Sequence, residues 1–148
     1  MQASAARVTG LNHVTLAVQQ LARSISFYVQ VLGLRPLARW SRGAYLSAGE
    51  DWVALIEDQR CLGAGPADYT HIAFTVDAGQ FEELSRRIID SGATIWQENQ
   101  SEGPSLYFLD PDGHRLEIHV TDLAARLHHA RLFPWDRIDF LGQDPPGV

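Results

Sequence analysis

Two short segments of the chain, residues 11–18 and 69–76, alternate between apolar and polar side chains in the pattern of a half-buried strand. Apolar residues follow each segment at the spacing of one helical face, within residues 21–32 and 81–88. The pattern therefore predicts a strand followed by a helix, and it predicts this pair twice.

The same order of elements continues after both helices. Gly33 and Gly92 come directly after the helical patterns and suit the left-handed conformation that closes a helix. Beyond each glycine, runs rich in β-branched and aromatic residues predict three more strands, separated by turn-forming residues. These six strands are predicted at 35–40, 43–47 and 52–57, and at 94–97, 105–109 and 115–120. Each half of the chain is thus predicted to be βαβββ.

The predicted fold class is α+β, with paired βαβββ modules in a single domain spanning residues 1–148. Module one covers about 8–60, module two about 67–121, and a C-terminal helix and tail cover 122–148. The segment Gly63–Pro66 is the predicted linker loop. A module of this size cannot easily bury a sheet face alone, so we expect the two to pack together, within one chain or across a dimer.

Composition excludes several functional classes. No apolar run approaches the length that spans a bilayer, and the N-terminus has no secretory signal pattern, so a cytoplasmic protein without membrane contact is expected. A net charge of −6 argues against nucleic acid as a partner. All 12 basic residues are arginines, which excludes lysine chemistry and leaves arginine or a metal as the cationic binder of an anion. Cys61 is the single cysteine, so no intramolecular disulfide forms.

Two histidines at matching positions are the strongest chemical signal. A lone histidine in an apolar strand is usually a hydrogen-bonded core residue, but His13 and His71 both occupy the third position of a repeated strand segment. Glu117 lies between large apolar residues in the last strand, where a carboxylate is costly unless it is paired or metal-bound, although a surface glutamate also fits the pattern. Two imidazoles and one carboxylate form a ligand set with open coordination positions. The counterpart of Glu117 in module one falls near Ala54 or Leu55. Neither side chain can bind a metal, so the repeat keeps one site.

These residues and their surroundings resemble the vicinal oxygen chelate superfamily of paired βαβββ metalloenzymes. Within it the chain is similar to the glutathione-dependent fosfomycin resistance proteins of the FosA type, from about Thr9 to Ile138. The resemblance is carried by residues 10–13, 43–46, 67–71 and 107–117, and more specifically by Trp96, Asn99, residues 101–103, Ser105, Tyr107, Asp122, Leu123 and Arg126.

The resemblance implies a domain-swapped homodimer with two active sites. In each site His71 and Glu117 of one chain and His13 of the other would hold a divalent metal, usually manganese. A loop rich in oxygen ligands would bind potassium through Asn99, Ser101, Glu102, Gly103 and Ser105.

The resemblance also implies the chemistry, which is addition of the thiol of glutathione to the epoxide of fosfomycin. Tyr45 would lower the thiol pKa or accept its proton, and Thr15 joins it as a catalytic residue. The substrate-binding residues implied are Arg126, Tyr107, Ser101, Trp52, Trp40 and Gln97. Gln97 stands where the family usually has a lysine, and Arg42, Ile56 and Gln100 differ from its usual glutathione-channel residues. Each aromatic side chain named here would also fit an ordinary strand core.

Two kinds of alternative are also consistent with this sequence. One is another activity of the superfamily, such as a glyoxalase-like isomerase, an extradiol dioxygenase or an epoxide hydrolase. The other is a metal-free resistance protein that binds a small ligand and would not need His13, His71 and Glu117 together. Metal retention by the purified protein separates these two classes.

Overall fold

The computed structural model describes residues 10–61, 68–135 and 138–141. The chain divides into two compact units, Met1–Gly63 and Ala64–Val148. The predicted linker Gly63–Pro66 lies outside the described residues. Each unit contains one four-stranded sheet and is described by itself.

Unit 1 has the predicted βαβββ order. Its elements are β1 (His13–Val18), α1 (Leu21–Ser26), a π-helical segment (Phe27–Val31), β2 (Arg35–Trp40), β3 (Gly43–Ala48) and β4 (Asp51–Glu57). The strands lie in the order β1-β4-β3-β2, with β1 parallel to β4 and the other pairs antiparallel. Strand β2 at the edge of this sheet is exposed along its whole length.

Unit 2 repeats this arrangement and adds a C-terminal helix. Its elements are β5 (Ile72–Thr75), a short 3-10 turn (Ala78–Gln80), α2 (Phe81–Asp90), β6 (Ile95–Gln97), β7 (Ser105–Leu109), β8 (Arg115–His119) and α3 (Leu123–Leu132). The order β5-β8-β7-β6 and the directions of pairing match those of unit 1. Paired βαβββ modules of an α+β protein are therefore confirmed. The first strands of the two units begin at different points in the repeat, because His13 is the first residue of β1, whereas His71 precedes β5.

The helix ends follow the sequence signals. Gly33 and Gly92 have φ values of 79° and 82°, the left-handed conformation predicted for residues that close a helix. At the other end of α1, the backbone N–H of Leu21 donates to the Glu57 carboxylate over 3.1 Å. Glu57 is thereby engaged as a helix cap. No helix in the described part of the chain is long and apolar enough to cross a membrane.

The two faces of each sheet differ in character. Helix α1 packs against β4 and β3, and the apolar side chains of these strands fill the core of unit 1. The largest fully buried side chains of the two units are Tyr28, Leu46 and Leu55, and Phe108, Ile88, Leu116 and Ile118. Alternation along β4 and β8 directs Ala54 and Glu117 to the faces opposite Leu55 and Leu116.

Strand register identifies the counterpart of Glu117. In unit 2, Glu117 pairs with Tyr107 across β7 and β8, and in unit 1 the equivalent pair joins Ala54 to Tyr45 across β3 and β4. Ala54 therefore occupies the place of Glu117, and a methyl group stands where unit 2 has a carboxylate. Each chain thus carries this carboxylate once.

Candidate metal centre and substrate cavity

Glu117 is a buried carboxylate held by two neighbours. Glu117 is 5% exposed, which excludes the surface position that the sequence pattern also allowed. The hydroxyl of Ser105 donates to Glu117 Oε1 over 2.7 Å, and Glu117 Oε2 lies 3.1 Å from His71 Nε2. One carboxylate oxygen is therefore fixed by a proton donor, and the other faces an imidazole.

The second nitrogen of His71 determines what that imidazole can do. His71 Nδ1 lies 2.8 Å from the carbonyl oxygen of Tyr69, which only accepts, so the ring proton resides on Nδ1. In the neutral ring Nε2 presents a lone pair to the negative oxygen of Glu117, and this contact is favourable only when a proton or a metal ion lies between the two atoms. A carbonyl that fixes the tautomer in this way is the usual support of a metal-bound histidine. The pair therefore fits a divalent metal.

The described residues of one chain do not complete a metal site. Within residues 10–61, 68–135 and 138–141, no group of three or more His, Cys, Asp or Glu side chains could hold a metal ion. His71 and Glu117 thus form a pair of donors in unit 2, and the predicted third ligand, His13, belongs to unit 1.

His13 has the same local arrangement as His71. It is exposed at the start of β1, and its Nδ1 donates to the side-chain oxygen of Asn12 over 2.6 Å. Nε2 is consequently the nitrogen that carries the lone pair. The imidazole ring lies against Trp52, with 4.3 Å between the ring centroids.

An aromatic row extends from Trp52 across the open face of the unit 1 sheet. The ring of Tyr45 lies 5.0 Å from Trp52, and that of Trp40 lies 4.7 Å from Tyr45. Thr15 shares this face, because it pairs with Ala54 in the same row as Tyr45. The structure thus brings together the predicted residues Thr15, Trp40, Tyr45 and Trp52. Strands β1, β2 and β3 contain no Asp or Glu, and Asp51 and Glu57 of β4 alternate away from Trp52, so the strands of this face offer no carboxylate base.

A cavity of about 590 Å³ lies within unit 2. It is lined by four of the predicted substrate-binding residues, Gln97, Ser101, Tyr107 and Arg126, and by Tyr69, Gln100, Glu102, His129 and Trp135. The other two predicted substrate residues, Trp40 and Trp52, belong to unit 1.

The cavity wall carries one positively charged group, the guanidinium of Arg126, together with neutral hydrogen-bond donors that could bind an anion. Arg126 of α3 makes no ion pair with any described residue, whereas Gln97 donates to the hydroxyl of Tyr69 over 3.3 Å. Burial raises the pKa of the Tyr107 phenol; a hydrogen bond with Ser101 opposes that rise, and the charge of Glu117 adds to it. Tyr107 therefore keeps its proton and remains a hydrogen-bond donor at neutral pH.

Three residues of this cavity, Tyr69, His129 and Trp135, were not predicted as site residues. His129 lines the cavity, and its Nδ1 is buried without a partner among the described residues. His129 lies three positions after Arg126 in α3, so helical spacing alone places the two on one face. Trp135 follows the end of α3 and carries no comparable signal.

The predicted potassium loop is closed by its own hydrogen bonds. The side-chain amide of Asn99 donates to the carbonyl of Gly103 over 2.8 Å, and Asn99 Oδ1 accepts from the N–H and hydroxyl of Ser101, both over 2.9 Å. The side chain of Ser105, by contrast, bonds to Glu117. Asn99 and Ser101 therefore share a local hydrogen-bond network with Gly103, and the Ser105 hydroxyl belongs to the carboxylate cluster.

A second cavity, of about 420 Å³, lies within unit 1. Its lining includes Trp40, Arg42 and Ile56, three positions that the family resemblance places along the thiol channel. The Arg42 guanidinium donates to the carbonyl oxygen of Glu57 over 3.0 Å. A basic side chain is therefore held at the wall of this cavity.

A family model described as the Glyoxalase/Bleomycin resistance protein/Dioxygenase superfamily matches residues 10–118. The chain belongs to this superfamily. Among curated superfamily relatives, it is 50% identical over 136 residues to "Glutathione transferase FosA" of Serratia marcescens, covering 90% of this chain and 96% of that protein. It is 37% identical over 127 residues to "Metallothiol transferase FosB" of Shouchella clausii strain KSM-K16, covering 82% and 87%.

Solved structures of the superfamily share the fold. The fosfomycin resistance protein FosX of Mesorhizobium loti aligns with a TM-score of 0.68 and 31% identity, over 82% of this chain and 99% of that one. A FosX variant of Listeria monocytogenes, complexed with Mn(II) and 1S,2S-dihydroxypropylphosphonic acid, aligns with a TM-score of 0.70 and 26% identity, over 82% and 99%. The predicted family and fold are thus confirmed.

Proposed function

We propose that this chain is a metal-dependent transferase that opens the epoxide of fosfomycin by adding glutathione and so confers fosfomycin resistance. The observation that carries the proposal is the 50% identity with the Serratia marcescens glutathione transferase, which extends over 90% of the chain. The local geometry agrees with this chemistry, because a donor pair suited to a metal lies in the same unit as a cavity whose guanidinium makes no ion pair with the described residues.

The proposed metal ligands are His71 and Glu117 of one chain and His13 of a second copy in a homodimer. Support comes from the tautomers, since both histidines present Nε2 as a lone pair, and from the single carboxylate that each chain supplies. Such nitrogen and oxygen donors accept several first-row divalent ions, and we propose manganese, which a FosX relative binds. When bound, the ion would supply Lewis-acid stabilisation of the oxygen charge that develops as the epoxide opens.

The residues of the unit 2 cavity are proposed to bind the phosphonate. Arg126 supplies the positive charge, and the hydroxyls of Tyr107 and Ser101 donate hydrogen bonds to phosphonate oxygens. Gln97 contributes an amide where the family usually has a cation, so binding of the anion depends more heavily on Arg126 in this chain.

The open face of unit 1 is proposed to receive the thiol. A thiol with a pKa near ~8.5 is only a few per cent ionised at neutral pH, so a group that accepts its proton raises the reactive fraction. Tyr45 is 38% exposed and is proposed for this role, with Thr15 beside it on the same face. Trp40 and Trp52 hold the Tyr45 ring in place through edge contacts.

Hydration of the epoxide is the second candidate, because a FosX neighbour is complexed with a dihydroxypropylphosphonic acid. Hydration requires a base that removes a proton from water. The open face of unit 1 carries Tyr45 and Thr15 but no carboxylate, since Asp51 and Glu57 alternate away from Trp52 along β4. Thiol addition, which needs a weaker base, is therefore the better-supported reaction.

Potassium is proposed to bind the loop that carries Asn99, Ser101, Glu102, Gly103 and Ser105. The support is that these residues carry amide, hydroxyl, carboxylate and backbone carbonyl oxygens, which suit a hard monovalent ion. The initial rate measured in potassium should exceed the rate in tetramethylammonium at equal ionic strength, and equal rates would contradict the proposal.

Changing Gln97 to Lys should lower the KM for fosfomycin. The substitution places an ammonium group at the wall of the cavity that contains Arg126, and a charge-assisted hydrogen bond contributes about 1.5–3 kcal/mol, so KM should fall by about tenfold or more. Steady-state kinetics with fosfomycin varied at fixed glutathione measure this change. Gln80→Lys, at an exposed site outside this cavity, is the matched control, and an equal effect of both variants would show that general charge is responsible.

Expression in a fosfomycin-sensitive bacterial host tests the proposed function in cells. Glutathione is the reduced thiol of the cytosol, where we propose that the protein acts. The gene should raise the inhibitory concentration of fosfomycin in a host that makes glutathione, and not in an otherwise identical host that lacks glutathione synthesis. Equal protection in both hosts would favour hydration or ligand binding instead.

A further inference from the structure

A continuous row of hydrogen bonds leads away from Glu117 on the side opposite His71. Ser105 Oγ lies 2.7 Å from Glu117 Oε1 and 2.5 Å from His119 Nδ1. His119 Nε2 in turn lies 2.5 Å from the hydroxyl of Thr121. The row of Ser105, His119 and Thr121 thus connects to one oxygen of the proposed metal ligand.

The number of protons on each group determines which atom donates in the hydrogen bonds nearest Glu117. A carboxylate only accepts, so the single proton of the Ser105 hydroxyl points to Glu117, and Ser105 must accept from His119 Nδ1. His119 Nδ1 also lies 3.4 Å from Glu117 Oε1, which favours a proton on that nitrogen. Through Nε2 the ring also bonds to the Thr121 hydroxyl, which lies beside Glu102 Oε2 as well. The two donors between His119 and Glu117 therefore point toward Glu117.

The far end of the row touches the 99–105 loop. The Thr121 hydroxyl lies 3.4 Å from Glu102 Oε2. Gly103 has a φ of 80°, and a Cβ atom added there would lie 2.7 Å from Thr121 Cγ2. Thr121 is therefore packed tightly against the loop backbone, so a shift of the loop displaces the end of the row.

We propose that His119 is a positioning residue, which holds Ser105 and thereby fixes Glu117 Oε1 so that Oε2 stays directed at the metal beside His71. Thr121 extends this support to the 99–105 loop. The inference rests on the proposed role of Glu117 as a metal ligand. It assigns a supporting role to His119 and Thr121, which do not line the unit 2 cavity, and it links the loop to the metal centre by contacts within one unit.

Manganese affinity of the purified, metal-free protein tests this role without relying on turnover. Free Mn²⁺ is measured by electron paramagnetic resonance during titration of the wild type and of His119→Phe, which keeps a ring but removes both nitrogens. Loss of a group that orients a metal ligand weakens binding by about 10–100-fold. His119→Asn, whose amide can still donate to Ser105, should recover part of the affinity.

A second pair of variants separates the hydrogen bond from folding. Thr121→Val is nearly isosteric and removes the hydroxyl that bonds to His119, so manganese affinity should fall, whereas Thr121→Ser keeps the hydroxyl and should bind nearly as the wild type. The thermal unfolding temperature of each metal-free variant shows whether its fold is intact. His128→Asn, at an exposed site on α3, serves as the histidine control.

Glu117→Gln distinguishes failure of the inference from failure of the proposed function. If Glu117→Gln abolishes manganese binding while folded His119→Phe and Thr121→Val bind as the wild type, His119 has no positioning role. If Glu117→Gln itself binds manganese with unchanged affinity, the assignment of Glu117 as a ligand is wrong, and the positioning role is overturned together with it.

Discussion

His13→Ala should abolish the metal-dependent conjugation of fosfomycin while leaving the fold intact. His13 is exposed at the start of β1, so its removal leaves no cavity in the core and should change the stability of unit 1 little. Loss of a direct metal ligand should cost more than the roughly 10–100-fold that follows loss of a supporting group. The rate of conjugate formation at saturating Mn²⁺, together with the circular dichroism spectrum, measures both effects. An unchanged rate would remove His13 from the site.

Mixing two inactive variants tests whether the site is shared between chains. If His13 of one chain joins Glu117 of another, a dimer of His13→Ala with Glu117→Gln contains one intact site and one that lacks both groups. Random reassortment of equal amounts should restore about a quarter of the wild-type activity, because half of the dimers are mixed and each has one of two sites intact. No recovery after verified subunit exchange would show that both ligands come from the same chain.

Arg126→Ala should cause the largest loss of fosfomycin affinity among the residues of the unit 2 cavity. Arg126 is the guanidinium of that cavity, it makes no ion pair with the described residues, and the chain has no lysine to replace it. Loss of its charge-assisted hydrogen bonds should cost about 1.5–3 kcal/mol, which raises KM by roughly 10–100-fold. Steady-state kinetics in fosfomycin should show KM rising more than kcat falls.

Two further variants define the origin of the Arg126 effect. Arg126→Lys keeps the charge but loses the planar pair of donors, so its KM should lie between those of the wild type and Arg126→Ala. Arg86→Ala removes the same charge from an exposed site on α2 and should leave KM unchanged. A KM for Arg126→Ala equal to that of Arg86→Ala would place the phosphonate elsewhere.

The order of elements could be predicted from the sequence because it depends on local signals. The glycines that close both helices have the expected positive φ values. The turn between β7 and β8 is likewise local, since Asp110 Oδ1 accepts from the backbone N–H groups of Asp112 and His114, and Gly113 has a φ of 83°. Each signal lies within a few residues, so spacing along the chain was sufficient to find it.

The candidate site was only partly predictable, because its contacts depend on register and packing. The sequence left the counterpart of Glu117 open between Ala54 and Leu55, and pairing of β3 with β4 selects Ala54. The hydrogen bond from the Ser105 hydroxyl to Glu117 was not predicted, because it depends on the pairing of β7 with β8. These contacts join residues distant in sequence, which periodicity cannot specify.

The product formed from fosfomycin and glutathione tests the central proposal most directly. The metal-free wild-type protein is incubated with both compounds, with and without Mn²⁺, in potassium buffer, and the products are identified by phosphorus NMR and mass spectrometry. We expect a one-to-one conjugate with a carbon–sulfur bond and a new hydroxyl group, formed only when the metal is present. Formation of the diol in place of the conjugate, or complete recovery of intact fosfomycin in the presence of Mn²⁺, would contradict it.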